Sequence, residues 1–167
     1  MNENTRLVIA SDFSGFHLKE AVKKHLISLG YAPSDIGQLA EDENLLYYEA
    51  ASRLAKAIQR KEFDRGIVFC GTGAGVSLIV NKFRGIYCVP CESIFTAEKT
   101  SLINNANVLA MGERVVSFGM GGEMAEKWLQ GNWCEGFEPQ RRQNNEKGFA
   151  VLQEIEAESF RPIDSIS

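Results

Sequence analysis

Gly66-Ile67-Val68-Phe69-Cys70-Gly71-Thr72-Gly73-Ala74-Gly75-Val76 is the stretch that fixes the architecture. Five residues rich in β-branched and aromatic side chains run into a glycine loop, and apolar residues at helical spacing follow. A short apolar run without polar alternation is the mark of a strand buried on both faces. Such strands belong to parallel sheets, where a helix crosses back between neighbours. The run from Gly66 to Cys70 therefore predicts a strand, and Val76 to Phe83 a helix.

The same alternation extends outward in both directions. Upstream, Leu7 to Ala10 reads as a strand. Leu18, Val22, Leu26 and Leu29 repeat at helical spacing within Phe16 to Leu29, with Gly30 as the stop. Tyr31 to Ile36 is a second strand candidate and Leu46 to Ile58 a second helix. Downstream, Ile86 to Val89 and Val108 to Met111 read as strands, while Ile94 to Ile103 and Met120 to Leu129 read as helices. The expectation is an α/β fold: a doubly wound, Rossmann-like, five-stranded parallel sheet with helices on both faces. Past Trp133 the pattern weakens. Asn144 to Phe160 carries a polar helix pattern with a stripe at Phe149, Leu152 and Ile155. We expect residues 1–143 to form one domain, and 144–167 a C-terminal helix and tail that packs on a partner subunit.

Bulk properties narrow the function. The chain has 167 residues, enough for one core, and a formal net charge of −4. That balance argues against nucleic acid and anionic membrane surfaces as partners. The N-terminus lacks a signal-peptide layout and no apolar run is long enough for a membrane helix, so a cytoplasmic location is expected. Cysteines 70, 88, 91 and 134 are then reduced thiols. Cys88-Val89-Pro90-Cys91 spells C-x-x-C, but its first cysteine lies in a predicted strand rather than at a helix start, which disfavours a redox site. His17 and His25 alone offer too few partners for zinc.

In open α/β sheets, ligands bind beyond the carboxyl ends of the strands. That rule selects Ser11-Asp12, Cys70 to Gly75, Cys91-Glu92 and Gly112-Glu113-Arg114. The alternating glycines Gly71, Gly73 and Gly75 let main-chain amides crowd around an anion, and a helix start favours thiolate over thiol. A base beside an oxyanion cradle is what an enolising isomerase needs. The bland alternative is a tight turn with a buried cysteine. A dinucleotide-binding reading fits less well: the third glycine comes one place early for G-x-G-x-x-G, and two β–α units precede the loop. Asp12, at the end of the first strand, reads either as a helix N-cap or as a carboxylate serving the Cys70 loop.

With these segments in view, the chain resembles the family of ribose-5-phosphate isomerase B and the galactose-6-phosphate isomerase subunits. The likeness runs from Arg6 to Arg142. It rests on Ser11-Asp12-Phe13-Ser14-Gly15-Phe16-x-Leu18-Lys19, the Gly66 to Gly75 stretch, Asn81-Lys82, and Asn104-x-x-Asn107-Val108-Leu109-Ala110-x-Gly112-x-Arg114-Val115. The resemblance implies a sugar phosphate as substrate and no metal or organic cofactor. It implies a homodimer, in some members paired into a tetramer, with sites at the subunit interface. By resemblance, Cys70 is the base moving a proton between C1 and C2, through a cis-enediolate. Gly71, Gly73, Ala74 and Gly75 cradle that enediolate, Thr72 assists ring opening, and Asp12 contacts substrate hydroxyls. Asn104 matches a polar residue at the substrate and Arg142 a phosphate arginine, with Arg114 and Arg141 as further candidates for the phosphate.

Three departures stand out. The family histidine after the aspartate is Phe13 here, the one before Asn104 is Ile103, and an arginine expected near position 138 is Glu138. Phenyl and branched alkyl groups can neither donate nor accept a proton. A substrate that needs no ring opening, such as a tetrose phosphate, is one reading of this loss. A partner subunit with altered catalysis is another, and a nucleotide-binding oxidoreductase is the outside alternative.

Overall fold

In the computed structural model, which describes residues 5–160, five parallel strands form one sheet in the order β2-β1-β3-β5-β4. They are β1 (Leu7–Ser11), β2 (Ser34–Asp35), β3 (Arg65–Cys70), β4 (Cys88–Pro90) and β5 (Val108–Gly112). The helices are α1 (Phe16–Ser28), α2 (Tyr47–Gln59), α3 (Ala74–Val80), α4 (Ile94–Leu102), α5 (Phe118–Gln130) and α6 (Pro139–Ser159). The order reverses between β1 and β3, because the chain runs from β1 outward to β2 and returns to the other side. At such a switch the loops diverge and leave a crevice above the strand ends.

Alternation along the strands assigns the two faces. Leu7 and Ile9, Ile67 and Phe69, and Leu109 and Met111 pack with Leu18, Val22, Leu26, Met124 and Trp128, beneath α1, α4 and α5. Val8 and Ala10, Val68 and Cys70, and Val108 and Ala110 face Ala50, Leu54, Val76 and Val80, beneath α2 and α3. Cys70 thus points to the layer that holds its own glycine loop.

The second strand is shorter than expected. Gly30 turns at φ +90°, and the amides of Gly30 and Tyr31 close α1 by donating to Ile27 and Leu26 carbonyls. Tyr31 therefore ends a helix rather than starting a strand, and Pro33 has no amide for a ladder. Ser34 and Asp35 pair with Val8 and Ile9. The fourth strand starts two residues later than expected and ends one later, on the sheet edge, where Pro90 needs no donor. Helix α3 starts at Ala74, because Gly73 at φ +77° turns the chain directly into it. Helix α6 begins at Pro139 with proline in its first turn, so the 143/144 division falls inside a helix. Residues 161–167 of the expected tail lie outside the described residues.

Lys19 is fully buried, and it holds β2's outflow against α1. Its ammonium donates to Asp35 Oδ2 at 2.6 Å and to the Gln38 carbonyl. Gln38 Oε1 in turn accepts from the Leu45 amide at 3.3 Å, and the Leu45 carbonyl accepts from the Phe13 amide at 3.2 Å. This chain of bonds fixes the backbone of the turn after β1.

Candidate active site

Asp12 is 4% exposed and caps a 3-10 turn over Phe13–Gly15. Its Oδ1 accepts the Ser14 amide at 2.9 Å and the Gly15 amide at 3.0 Å, and the Ser14 hydroxyl lies 2.9 Å from both carboxylate oxygens. The carboxylate is an N-cap, as one sequence reading expected, and it sits at the strand-end crevice. Burial pushes its pKa upward, those hydrogen bonds oppose the shift, and the nearby Glu113 adds to it.

The turn is pressed against Cys70. A Cβ on Gly15 would lie 2.7 Å from the Cys70 nitrogen. Glycine at 15 is therefore what lets the Asp12 turn touch the end of β3. On the other side, the amides of Glu113 and Arg114 donate to the carbonyls of Cys70 and Gly71, each at 3.0 Å. A Cβ on Gly112 would strike the Thr72 carbonyl carbon at 2.4 Å. The loops after β1, β3 and β5 are thus locked edge to edge.

The Cys70 thiol is 5% exposed, and its sulfur accepts the Gly73 amide at 3.1 Å. An amide donor at a helix start stabilises thiolate. The cradle is smaller than the sequence suggests. Gly73's amide is turned inward to the sulfur, and Ala74's donates to Thr72 Oγ1 at 3.4 Å. Among the described residues, the amides of Gly71, Thr72, Gly75 and Val76 find no protein acceptor. Those are the donors left for an oxyanion. The Tyr47 ring covers Gly75, with ring carbons 3.2 Å from where a Cβ would sit. Arg114 is exposed, and its Nε lies 3.5 Å from a Cβ position on Gly71.

The remaining expected residues do not join this cluster. Ile103 and Asn104 lie between the end of α4 and the start of β5, at the amino-terminal end of the parallel strands. There they line a cleft with Asn144, Asn145 and Phe149 of α6. Arg142 donates to the Cys134 carbonyl at 3.3 Å, and Arg141 stacks on Phe137 with its guanidinium 3.9 Å from the ring centroid. Two larger clefts, one lined by Arg65 and Trp133 and the other by Phe63 and Arg84, also lie at that opposite end. Phe13 is half exposed beside the Asp12 turn.

The four cysteines are free thiols. Burial pushes the Cys88 thiol far upward and Cys91 up to about 11, the reverse of a redox pair. Among the described residues, no three His, Cys, Asp or Glu groups gather as metal ligands. None of the described helices is long and apolar enough to cross a membrane.

The ribose/galactose isomerase family model matches residues 7–146. The chain belongs to that family. It is an aldose–ketose sugar isomerase, and its fold is the family fold. It is 43% identical over 138 residues to a 4-deoxy-4-sulfo-D-erythrose isomerase of Clostridium sp., covering 83% of this chain and 87% of that one. It is 36% identical to D-erythrulose-4-phosphate isomerase 2 of Mycolicibacterium smegmatis, covering 74% and 83%. The solved ribose-5-phosphate isomerase B of Clostridium thermocellum superposes with a TM-score of 0.82 at 31% identity, covering 92% of this chain and 99% of that one.

Sequence reasoning gave no role to two residue groups of this isomerase, although Lys19 falls in a motif of the resemblance. Lys19 and Gln38 act through a tertiary network without sequence periodicity. Tyr47 reaches the loop only because α2 folds back over it.

Proposed function

We propose that this isomerase interconverts a four-carbon aldose and ketose bearing a terminal anionic group, with Cys70 as the proton-transferring base. The observation that carries the base is the Cys70 sulfur held by the Gly73 amide, beside the unspent amides of Gly71, Thr72 and Gly75. A thiolate there removes the proton next to the carbonyl, and those amides meet the charge that grows on oxygen. The proton returns to the adjacent carbon. Asp12 holds the hydroxyl protons during the exchange.

Phe13 and Ile103 favour the four-carbon substrate. A four-carbon sugar whose C4 carries phosphate or sulfonate has no free O4 to close a five-membered ring. It arrives open, and imidazole acids for ring opening become unnecessary. The erythrose and erythrulose relatives are named for sugars of this kind. Four free thiols fit the reducing cytoplasm.

The split of Asp12, Cys70 and Arg114 from Asn104, Arg141 and Arg142 supports a homodimer in which each copy lends its far edge to the other's thiol. Exposed Val151, Leu152 and Ile155 on α6 offer apolar surface for that contact.

The test is a turnover assay with erythrose 4-phosphate, 4-deoxy-4-sulfo-erythrose and ribose 5-phosphate. A four-carbon sugar is expected to turn over at least ~100-fold faster than the pentose, the scale of missing acid catalysis. A preference for ribose 5-phosphate overturns the substrate reading. Cys70→Ser is expected to stop exchange of the substrate's C1 or C2 proton with solvent while the protein stays folded. Exchange at the native rate removes Cys70 as the base.

A further inference from the structure

Glu113 joins two of the site's loops, and it does so with two different groups. Its amide donates to the Cys70 carbonyl at 3.0 Å, one step beyond β5. Its side chain turns the other way, and Oε2 accepts the Leu18 amide at 3.0 Å, in the first turn of α1. That turn receives no side-chain cap from Gly15. Glu113 thereby satisfies one of its orphan donors and places a negative charge at the positive end of the helix. The Asp12 turn runs directly into α1, so whatever fixes the start of α1 fixes the Asp12 carboxylate.

We propose that Glu113 is a positioning residue for the isomerisation: it ties the Asp12 turn to the strand that carries the thiol and sets the charge that Asp12 faces. The inference rests on the reading of Cys70 as base and Asp12 as holder of substrate hydroxyl protons. Burial is the main cause that raises the Asp12 pKa, and the Glu113 charge adds a smaller push in the same direction. The other titratable or charged groups near this turn are Cys70 from β3, Arg114 from the β5 loop, and His17 and Lys19 on α1. His17 is engaged by Glu41 at 3.6 Å.

The two functions of the side chain separate by substitution. Glu113→Gln keeps an oxygen for the Leu18 amide and removes the charge. Glu113→Ala removes both. Proton exchange, kcat and KM are measured across pH, with the four-carbon sugar that turns over, alongside the melting temperature. Glu113→Ala is expected to lower kcat about tenfold or more with a smaller change in KM, because misplacing a reacting group by a fraction of an ångström weighs on the chemical step. Glu113→Gln is expected to regain most of kcat, while the pH limb that Asp12→Asn removes moves to lower pH. Wild-type kcat in Glu113→Ala overturns the proposal. So does a fall in melting temperature with an unmoved pH limb in both variants, which marks a brace without catalytic consequence. Native exchange in Cys70→Ser overturns the underlying reading instead, whatever the Glu113 variants show.

Discussion

A thiol at a strand end becomes a base only if its neighbours favour the charged form and leave room for substrate. At Cys70 the structure shows one amide, that of Gly73, aimed at the sulfur. Asp12 carries a pressure of its own. Its folded carboxyl titrates above the unfolded value, chiefly because burial disfavours charge. Its stabilising contribution is therefore full at pH below the unfolded carboxylate range and is lost as pH rises through the raised folded value. Asp12→Asn keeps an acceptor for the Ser14 and Gly15 amides and removes the charge. We expect its melting temperature at neutral pH to equal or exceed that of the native protein, with much reduced turnover. Melting curves at pH 4 and pH 7 check this: the gain belongs at pH 7 and vanishes at acid pH. Reading forward from the residues, Asp12, Cys70 and the glycine loop were legible because their chemistry is local. Glu113 was visible only as part of a loop, since its partner Leu18 lies far away in sequence.

At the scale of elements, close backbone approach organises the site. Gly15 and Gly112 bring the β1 and β5 loops onto the β3 loop at distances that no side chain permits. Gly15→Ala is expected to lower both melting temperature and turnover, since the atoms it meets are main chain and cannot rotate away. Thermal melting with the proton-exchange assay measures both. The buried Lys19 belongs to the same scale. Lys19→Met leaves the Asp35 carboxylate with Lys23 at 2.9 Å as its remaining ammonium partner. Loss of one member of a buried pair costs about 3–5 kcal/mol, and the residual Lys23 contact points to the lower end. Denaturant unfolding reads that loss directly. Periodicity identified nearly every helix and strand here. It missed the brevity of β2, because the helix-closing bonds of Gly30 and Tyr31 consume the amides that a strand would use.

At the scale of the whole molecule, the expected site divides between the two ends of the sheet. If two copies complete each other, a catalytic defect in one should be rescued by an intact partner. Cys70→Ser and Arg142→Ala, each inactive alone, are expected to regain roughly a quarter of native activity when mixed and reassembled, because half the dimers then hold one intact site of two. No recovery on mixing, with mixed dimers verified by mass, places every catalytic residue within one chain. Size measurement of the native protein and of a chain ending at Glu138 checks the role of α6 in that assembly.

The sequence alone determined the layer order, the parallel sheet and the loop that bears the thiol. These follow from hydrophobic periodicity and glycine placement, both properties of neighbouring residues. Tertiary structure alone decided which amides remain free around Cys70, that Glu113 braces the Asp12 turn, and that Asn104, Arg141 and Arg142 lie away from the thiol. Those facts depend on which distant segments the fold brings within hydrogen-bond reach, and no local pattern encodes that distance.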